Sequence, residues 1–264
     1  MSSTLLSTPS QASLQPVIDA LVLARRQGRT IAAGGYDGAL STADEAYAVQ
    51  AAVARELDWF GADTPSCWKS GGPNREAVLT HAPLPPAGVW NSPATAGAFP
   101  FHQRGIEAEV ALRLGRDVDQ AAAETLDETS ASALIDAMTV SIEVVDSRWQ
   151  ECMQAPALMR LADLQCHGAL VLGEWRPWQA RDWAQQTCRV EIGDRPAVER
   201  RGTHPMGAPA WCLPAWLRHA TRHGQVVPAG TVVTTGTWVG ILEARAGERV
   251  LVTFEGIGSA QVQL

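Results

Sequence analysis

Residues 138–145 form an apolar run that carries a carboxylate, Glu143, with Thr139 and Ser141 as its other polar side chains. The run has strand character. Placing an ionised carboxylate among apolar neighbours is costly unless a cation, a positive side chain or a proton compensates it. A fold that turns Glu143 toward its core must therefore bring such a partner to it.

A second strand is expected at residues 106–114, where Ile106, Ala108, Val110, Leu112 and Leu114 alternate with Glu107, Glu109, Ala111 and Arg113. On extended backbone, side chains two residues apart leave the same face, so Glu107 and Glu109 can share one ligand. A hard divalent cation such as Mg²⁺ or Mn²⁺ takes oxygen donors and needs only a few carboxylates, with water or substrate completing its shell. Glu143 can supply a third. The wet face of an antiparallel strand has the same E-x-E spacing, and Asp117-Val118-Asp119 repeats it.

Around these strands the pattern is mixed. Leu14, Val17, Ile18, Leu21 and Ala24 mark one face of a helix over residues 14–27, with Arg25 and Arg26 in its last turn and Gly28 as its stop. A second helix starts after Thr42, where Glu45 completes a capping box, and runs toward Trp59. Residues 60–104, rich in Pro and Gly, are expected to be a long loop. A helix is expected at about 128–137, and another around 209–223, closed by Gly224. Further strands are expected within 163–173 and at 187–193, 231–235, 248–254 and 258–264. This order gives an α+β class with a rolled or sandwiched mixed sheet, divided into a helical N-terminal section (1–60) and a catalytic domain (61–264).

At 264 residues the chain can bury a full core. Its net charge of −7, with no basic cluster beyond two adjacent arginines, argues against a nucleic-acid partner. No signal-peptide pattern and no apolar run of spanning length is seen, so no membrane partner is expected. Five scattered cysteines without a C-x-x-C suggest neither a disulfide framework nor a zinc site, and fit a cytoplasmic location. Lys69 is the one lysine among 21 basic residues. Lysine, unlike arginine, can shift its pKa and transfer a proton.

GIEAEVALRLGRDV around Glu107 and Glu109, VSIEVVDSRW around Glu143, LADLQCHGALVLG (161–173), VVPAGTVVTTGTWVG (226–240) and FEGIGSAQVQL (254–264) together resemble the fumarylacetoacetate hydrolase superfamily. A third acid followed by V-V-D-S-R is similar to the branch of 2-oxopent-4-enoate hydratases and 4-oxalocrotonate decarboxylases. The resemblance implies a fumarylacetoacetate hydrolase-like sheet with Mg²⁺ or Mn²⁺ on Glu107, Glu109 and Glu143. It also implies chemistry on a small 2-oxo or 2-enol carboxylate, a homo-oligomer, and a place in the catabolism of aromatic ring-cleavage products. The reading that follows is a divalent-metal-dependent hydratase of a 2-hydroxy-2,4-dienoate through a stabilised enolate. The alternatives are a 2-oxo acid decarboxylase, a C–C hydrolase, or a noncatalytic small-acid-binding member.

In the same terms, Lys69 in CWKSGG resembles a lysine that faces the substrate, which implies a catalytic and substrate-binding role. Arg148 and Thr237 are implied substrate contacts, and Asp146 an orienting residue behind the ligands; an Asp-Arg pair and a turn hydroxyl are the structural alternatives. The chain departs from the pattern in three places. Pro85-Pro86-Ala87-Gly88 stands where hydratases often carry an acid in a P-D-x-G turn. Residues 163–168 lose an Asn of D-N-x-x-x-G, and Gly71-Gly72-Pro73-Asn74 replaces G-L-T-S. His81, His102, His167 and His204 lack metal-spaced partners and are expected to be structural, His167 the least so.

Overall fold

The computed structural model describes residues 11–264. Its α-helices are α1 (Gln11–Gln27), α2 (Ala43–Glu56), α3 (Gln120–Glu124), α4 (Glu128–Ser132), α5 (Ala157–Ala162) and α6 (Leu213–Thr221). The chain divides into two compact units, one made of residues up to Gly61 with Ser147–Cys166, the other of Ala62–Asp146 with His167–Leu264. The helical section expected at the N-terminus thus also takes in the excursion after Asp146, a segment far away in sequence.

In the helical unit, α1, α2 and α5 pack around Val17, Leu21, Val49, Val53, Trp149 and Met159. The expected capping box forms at α2. The Thr42 hydroxyl accepts the Glu45 amide, and the Glu45 carboxylate accepts the Thr42 amide. At the C-cap of α5, Asp163 is buried and accepts from Arg25 Nη2 (2.9 Å), Arg148 Nε (2.9 Å), the Arg148 amide (2.8 Å) and the Ser147 hydroxyl (3.2 Å). One carboxylate thus ties α1 to the chain leaving the sheet.

In the second unit, nine strands form one mixed sheet. They are β1 (Cys67–Gly71), β2 (Thr80–Pro83), β3 (Val89–Asn91), β5 (Gly105–Leu114), β6 (Ile135–Val145), β7 (His167–Leu172), β8 (Arg176–Pro177), β11 (Val232–Thr234) and β12 (Leu242–Glu243). Their order is β2-β1-β11-β5-β6-β7-β3, with β12 on β5 and β8 on β6. A second sheet comprises β4 (Ala94–Thr95), β9 (Thr187–Ile192), β10 (Val198–Arg201), β13 (Arg249–Phe254) and β14 (Gly258–Gln263), in the order β10-β9-β13-β14-β4. Val190, Val252, Phe254 and Val262 from it share the main core with Val110, Val140, Ile142, Val144 and Val171 of the first sheet. That core occupies one face of the large sheet. The opposite face holds a smaller apolar cluster of Cys67, Leu84, Ala111, Leu170, Leu172 and Val232.

The expected elements are present with two corrections. The helix expected over 128–137 ends at Ser132, and β6 starts at Ile135, because Ile135, Met138 and Val140 gain more by packing in the main core than in another helical turn. The stretch 60–104 holds the short strands β1–β4 and a turn of 3₁₀ helix at Pro86–Gly88. Its prolines sit at strand ends and between strands, where no ladder amide is required. Among the described residues all five cysteines are free, and no helix is long and apolar enough to cross a membrane.

Replacing Asp163 with Ala strands two arginines in a poorly hydrated site and is expected to cost about 3 kcal/mol in urea unfolding. Thr42→Ala, which removes one exposed cap, is expected to cost about 1 kcal/mol. Equal effects of the two would contradict the anchoring role of Asp163.

Candidate metal centre and active site

Antiparallel pairing of β5 with β6 places Glu107 directly opposite Glu143, and Glu109 opposite Ser141. Lys69 on β1 is paired with Thr234 on β11, which is in turn paired with Ala111. By the period of two, Lys69, Thr234, Ala111, Glu109, Glu107, Ser141 and Glu143 share one face of the sheet, beside the small apolar cluster. Glu107, Glu109 and Glu143 each offer one oxygen, and these oxygens lie within 4.8 Å of one another. They are the one such group of potential ligands among the described residues.

Each carboxylate has its own support. Lys69 Nζ donates to Glu143 Oε1 at 2.5 Å, and His167 Nδ1 lies 3.0 Å from the same oxygen. Glu143 Oε2 is buried and has no hydrogen-bond partner among the described residues. Glu109 accepts from the Thr234 hydroxyl, which also contacts the Ser141 hydroxyl at 2.9 Å.

The electrostatics follow from burial and crowding. Burial, then the charge on Glu143, pushes Glu107 up to about 8 and Glu109 up to about 7, against the opposing pull of Lys69. Burial also acts against the charge on Glu143, but Lys69 and His167 outweigh it and hold this carboxyl below its usual range. Lys69 is the mirror case: burial disfavours its charge, and Glu143, Glu107 and Glu109 overcome that and raise its pKa. Lys69 and Glu143 form an ion pair, while Glu107 and Glu109 are left short of positive charge. An oxygen-only donor set with one orphaned carboxylate oxygen fits a hard divalent cation.

The residues expected around this centre separate into two groups. Lys69 joins the three glutamates. Thr237 uses its hydroxyl within its own turn, donating to the Gly240 carbonyl at 2.9 Å and accepting from the Val239 amide. Asp146 leaves β6 three residues after Glu143, toward the opposite face, where its carboxylate accepts the His102 and Gln103 amides and meets His102 Nδ1 at 3.3 Å. It pins the approach to β5. Arg148 belongs to the helical unit, with its guanidinium on Asp163. The expected structural histidines include one that touches the centre, His167. Its sequence signal was the residue before Gly168 in the D-N-x-x-x-G-like segment, but a 24-residue gap from Glu143 gave no spacing to read. Thr234, within the stretch 226–240, also reaches Glu109 and was not singled out.

Residues 68–264 match the sequence model described as fumarylacetoacetate (FAA) hydrolase, C-terminal. The chain is 30% identical over 268 residues to 2-keto-4-pentenoate hydratase 1 of Dechloromonas aromatica strain RCB, covering 97% of each. It is 27% identical over 166 residues to 2-hydroxyhexa-2,4-dienoate hydratase of Comamonas testosteroni, covering 61% of this chain and 60% of that one. Among solved structures, 4-oxalocrotonate decarboxylase from Pseudomonas putida G7, complexed with magnesium and adipate, aligns with a TM-score of 0.83 at 17% identity, covering 97% of this chain and 98% of that one. Fumarylacetoacetate hydrolase from Exiguobacterium antarcticum aligns at 0.55 and 17% identity, over 75% of this chain and 74% of that one. These superpositions speak to the fold, an α+β arrangement of curled mixed sheets. With a family match from Trp68 to the last residue and a hydratase aligned along nearly its whole length, the chain belongs to the fumarylacetoacetate hydrolase family, in its hydratase and decarboxylase branch.

Proposed function

We propose that this chain is a divalent-metal-dependent lyase acting on a small 2-oxo or 2-enol carboxylate. Glu107, Glu109 and Glu143 are the ligands of Mg²⁺ or Mn²⁺, and Lys69 is the group that handles charge and protons. The observation that carries this reading is the donor set: three carboxylates with oxygens within 4.8 Å face one ammonium, so that with all three ionised two negative charges remain, the complement of a dication. The magnesium and calcium complexes of the P. putida decarboxylase, a protein of the same fold, are in keeping with it.

When bound, the ion supplies Lewis-acid stabilisation of negative charge developing on the substrate's 2-oxygen. The protein's own residues do the rest. Lys69, held protonated by its ion pair, enters the reaction as an acid and a positive charge, placed to donate a proton or to balance an enolate. His167 and Lys69 together fix the rotamer of Glu143. Leu170, Leu172 and Val232 on the same face lower the local dielectric, which strengthens each of these charge interactions.

Within this class we propose hydration of a 2-hydroxy-2,4-dienoate, supported by the two hydratase relatives. A 2-oxo acid decarboxylase is the second reading. It is favoured by the turn Pro86–Gly88, which carries no carboxylate to position a water, since decarboxylation needs none. Freshly generated 2-hydroxypenta-2,4-dienoate, followed by ultraviolet absorbance with and without Mg²⁺, tests the pair. Metal-dependent appearance of 4-hydroxy-2-oxopentanoate by NMR establishes the hydratase. Inertness toward this substrate with CO₂ release from 4-oxalocrotonate establishes the decarboxylase, and turnover without metal overturns both.

Glu107→Gln and Glu143→Gln are each expected to weaken Mn²⁺ binding by more than about 10-fold in calorimetric titration, since losing a ligand exceeds the usual cost of losing a residue behind one. Lys69→Met is expected to retain Mn²⁺ binding and lower kcat by roughly 10² or more, the usual scale for loss of an acid–base group. Unchanged metal affinity in both glutamate variants would remove the assignment.

A pH signature follows from Glu107 and Glu109. With folded pKa values of about 8 and about 7, above the ordinary carboxylate range, the folded metal-free protein holds protons that the unfolded chain has released. The contribution of these two groups to stability is therefore full below the ordinary carboxylate range and is lost as pH rises through about 7 and about 8. Mn²⁺ uptake at pH 6.5 is expected to release protons, seen as a dependence of binding enthalpy on buffer ionisation, and apparent affinity is expected to rise between about pH 6 and 8. Proton-neutral binding at pH 6.5 would contradict the raised values.

A further inference from the structure

Four buried hydroxyls, on Thr139, Ser141, Thr234 and Thr235, lie in or next to the two strands that flank β5. Two of them behave as buried hydroxyls usually do and donate to a backbone carbonyl, Thr139 to Glu174 at 3.0 Å and Thr235 to Val110 at 2.7 Å. The other two are spent on an acid. The Thr234 hydroxyl donates to Glu109 Oε2 and lies 2.9 Å from Ser141 Oγ. Ser141 stands directly opposite Glu109 on one side of β5, while Thr234, on the other side, is paired with Ala111. Two strand spacings, about 10 Å, separate the backbones of β11 and β6, so the two side chains lean toward each other over β5. Ala111, a single methyl group, leaves that crossing open.

We propose that Thr234 and Ser141 are positioning residues for Glu109, joined in a hydroxyl chain that runs one way, from Ser141 to Thr234 to Glu109. Each hydroxyl has one proton to give, and an ionised carboxylate only accepts. The Thr234 proton is therefore committed to Glu109, and Ser141 supplies the proton of the second bond. A donor on the Thr234 oxygen polarises its O–H and strengthens the bond to the carboxylate. Thr234 is β-branched, so its χ1 has little freedom and the hydroxyl is a stiff anchor. The chain holds Glu109 from the β11 side and fixes the rotamer that brings its oxygen within 4.8 Å of those of Glu107 and Glu143. Val at 234 and Ala at 141 would occupy nearly the same space with no polar group to desolvate. The hydroxyls are a cost to folding that Glu109 explains.

The proposal rests on Glu109 being a metal ligand, and the tests keep the two ideas apart. Thr234→Val keeps the shape and removes the proton; Thr234→Ser keeps the proton and removes the methyl. In Mn²⁺ titrations followed by electron paramagnetic resonance, Thr234→Val is expected to weaken binding about 10-fold, the lower end of what losing a residue behind a ligand does, with Thr234→Ser largely restored. Ser141→Ala leaves the Thr234 bond in place and is expected to weaken binding about 3-fold, a modest coupling for residues in contact. Combining Ser141→Ala with Thr234→Val is expected to add nothing to Thr234→Val alone, because Ser141 acts only through Thr234. Further weakening in the double variant overturns the one-way chain.

A second readout needs no metal. In metal-free protein carrying ¹³C at the glutamate carboxyls, at alkaline pH where Glu109 is ionised, its resonance is assigned by its loss in Glu109→Gln. It is expected to shift in Thr234→Val and to return in Thr234→Ser, with thermal melts showing that both variants fold. An unmoved resonance in Thr234→Val overturns the proposal. If the resonance responds as expected but Glu109→Gln leaves Mn²⁺ affinity unchanged, the hold on Glu109 stands and the metal assignment fails.

Discussion

The large sheet is organised around an excess of negative charge that its own backbone pairing creates. Register on β5 and β6 sets Glu107 against Glu143, and the pleat adds Glu109 to the same face. Like charges opposite one another in a ladder are destabilising, and burial worsens the effect. The surrounding residues are most simply understood as responses to this. Lys69 neutralises one charge, and His167 and Thr234 supply hydrogen bonds. What these groups leave short of positive charge are Glu107 and Glu109.

Such an arrangement cannot be optimal for stability. A core of similar volume without the three acids would avoid their desolvation, and replacing buried ion pairs with hydrophobic residues often stabilises a protein. The apolar support is accordingly generous. The main core lies on the other face of the same strands, so β5 and β6 are held by Ile106, Ala108, Val110, Val140, Ile142 and Val144 regardless of what happens at the acids. The protein thus separates the face that folds it from the face where chemistry is expected.

Much of this was legible in the sequence because it depends on short periods. The alternation in 106–114 gave a strand with two acids on one side, and the lone acid in 138–145 marked a buried anion in need of a partner. Lys69 drew notice as the one lysine. What was not legible depends on contacts between distant segments. His167 meets Glu143 only because β7 lies beside β6, and Thr234 meets Glu109 only because β11 lies beside β5. Arg148 was expected at the substrate from the resemblance around V-V-D-S-R, with an Asp–Arg pair as the alternative; the chain leaves the sheet at Asp146 and the guanidinium goes to Asp163. The helix expected to reach 137 shows local propensity yielding to the pull of a long central strand.

The pairing of β6 with β7 contains an irregularity: Val144 faces Ala169, but Val145 faces His167, so Gly168 is an extra residue on β7. A Cβ on Gly168 would come within 2.7 Å of the Val144 carbonyl and 2.8 Å of the Asp146 side chain, so the bulge accepts only glycine without rearrangement. The extra residue is what returns His167 to the face of Leu170 and Glu143. In an unbroken ladder, the side chain at this distance from Leu170 would point into the main core. Substitution is therefore tightly constrained here: a side chain at position 168 that straightened the bulge, with its neighbours kept, would turn the imidazole toward the main core while leaving the strands in place. A lineage could keep the fold and lose the histidine's hold on Glu143 in one step.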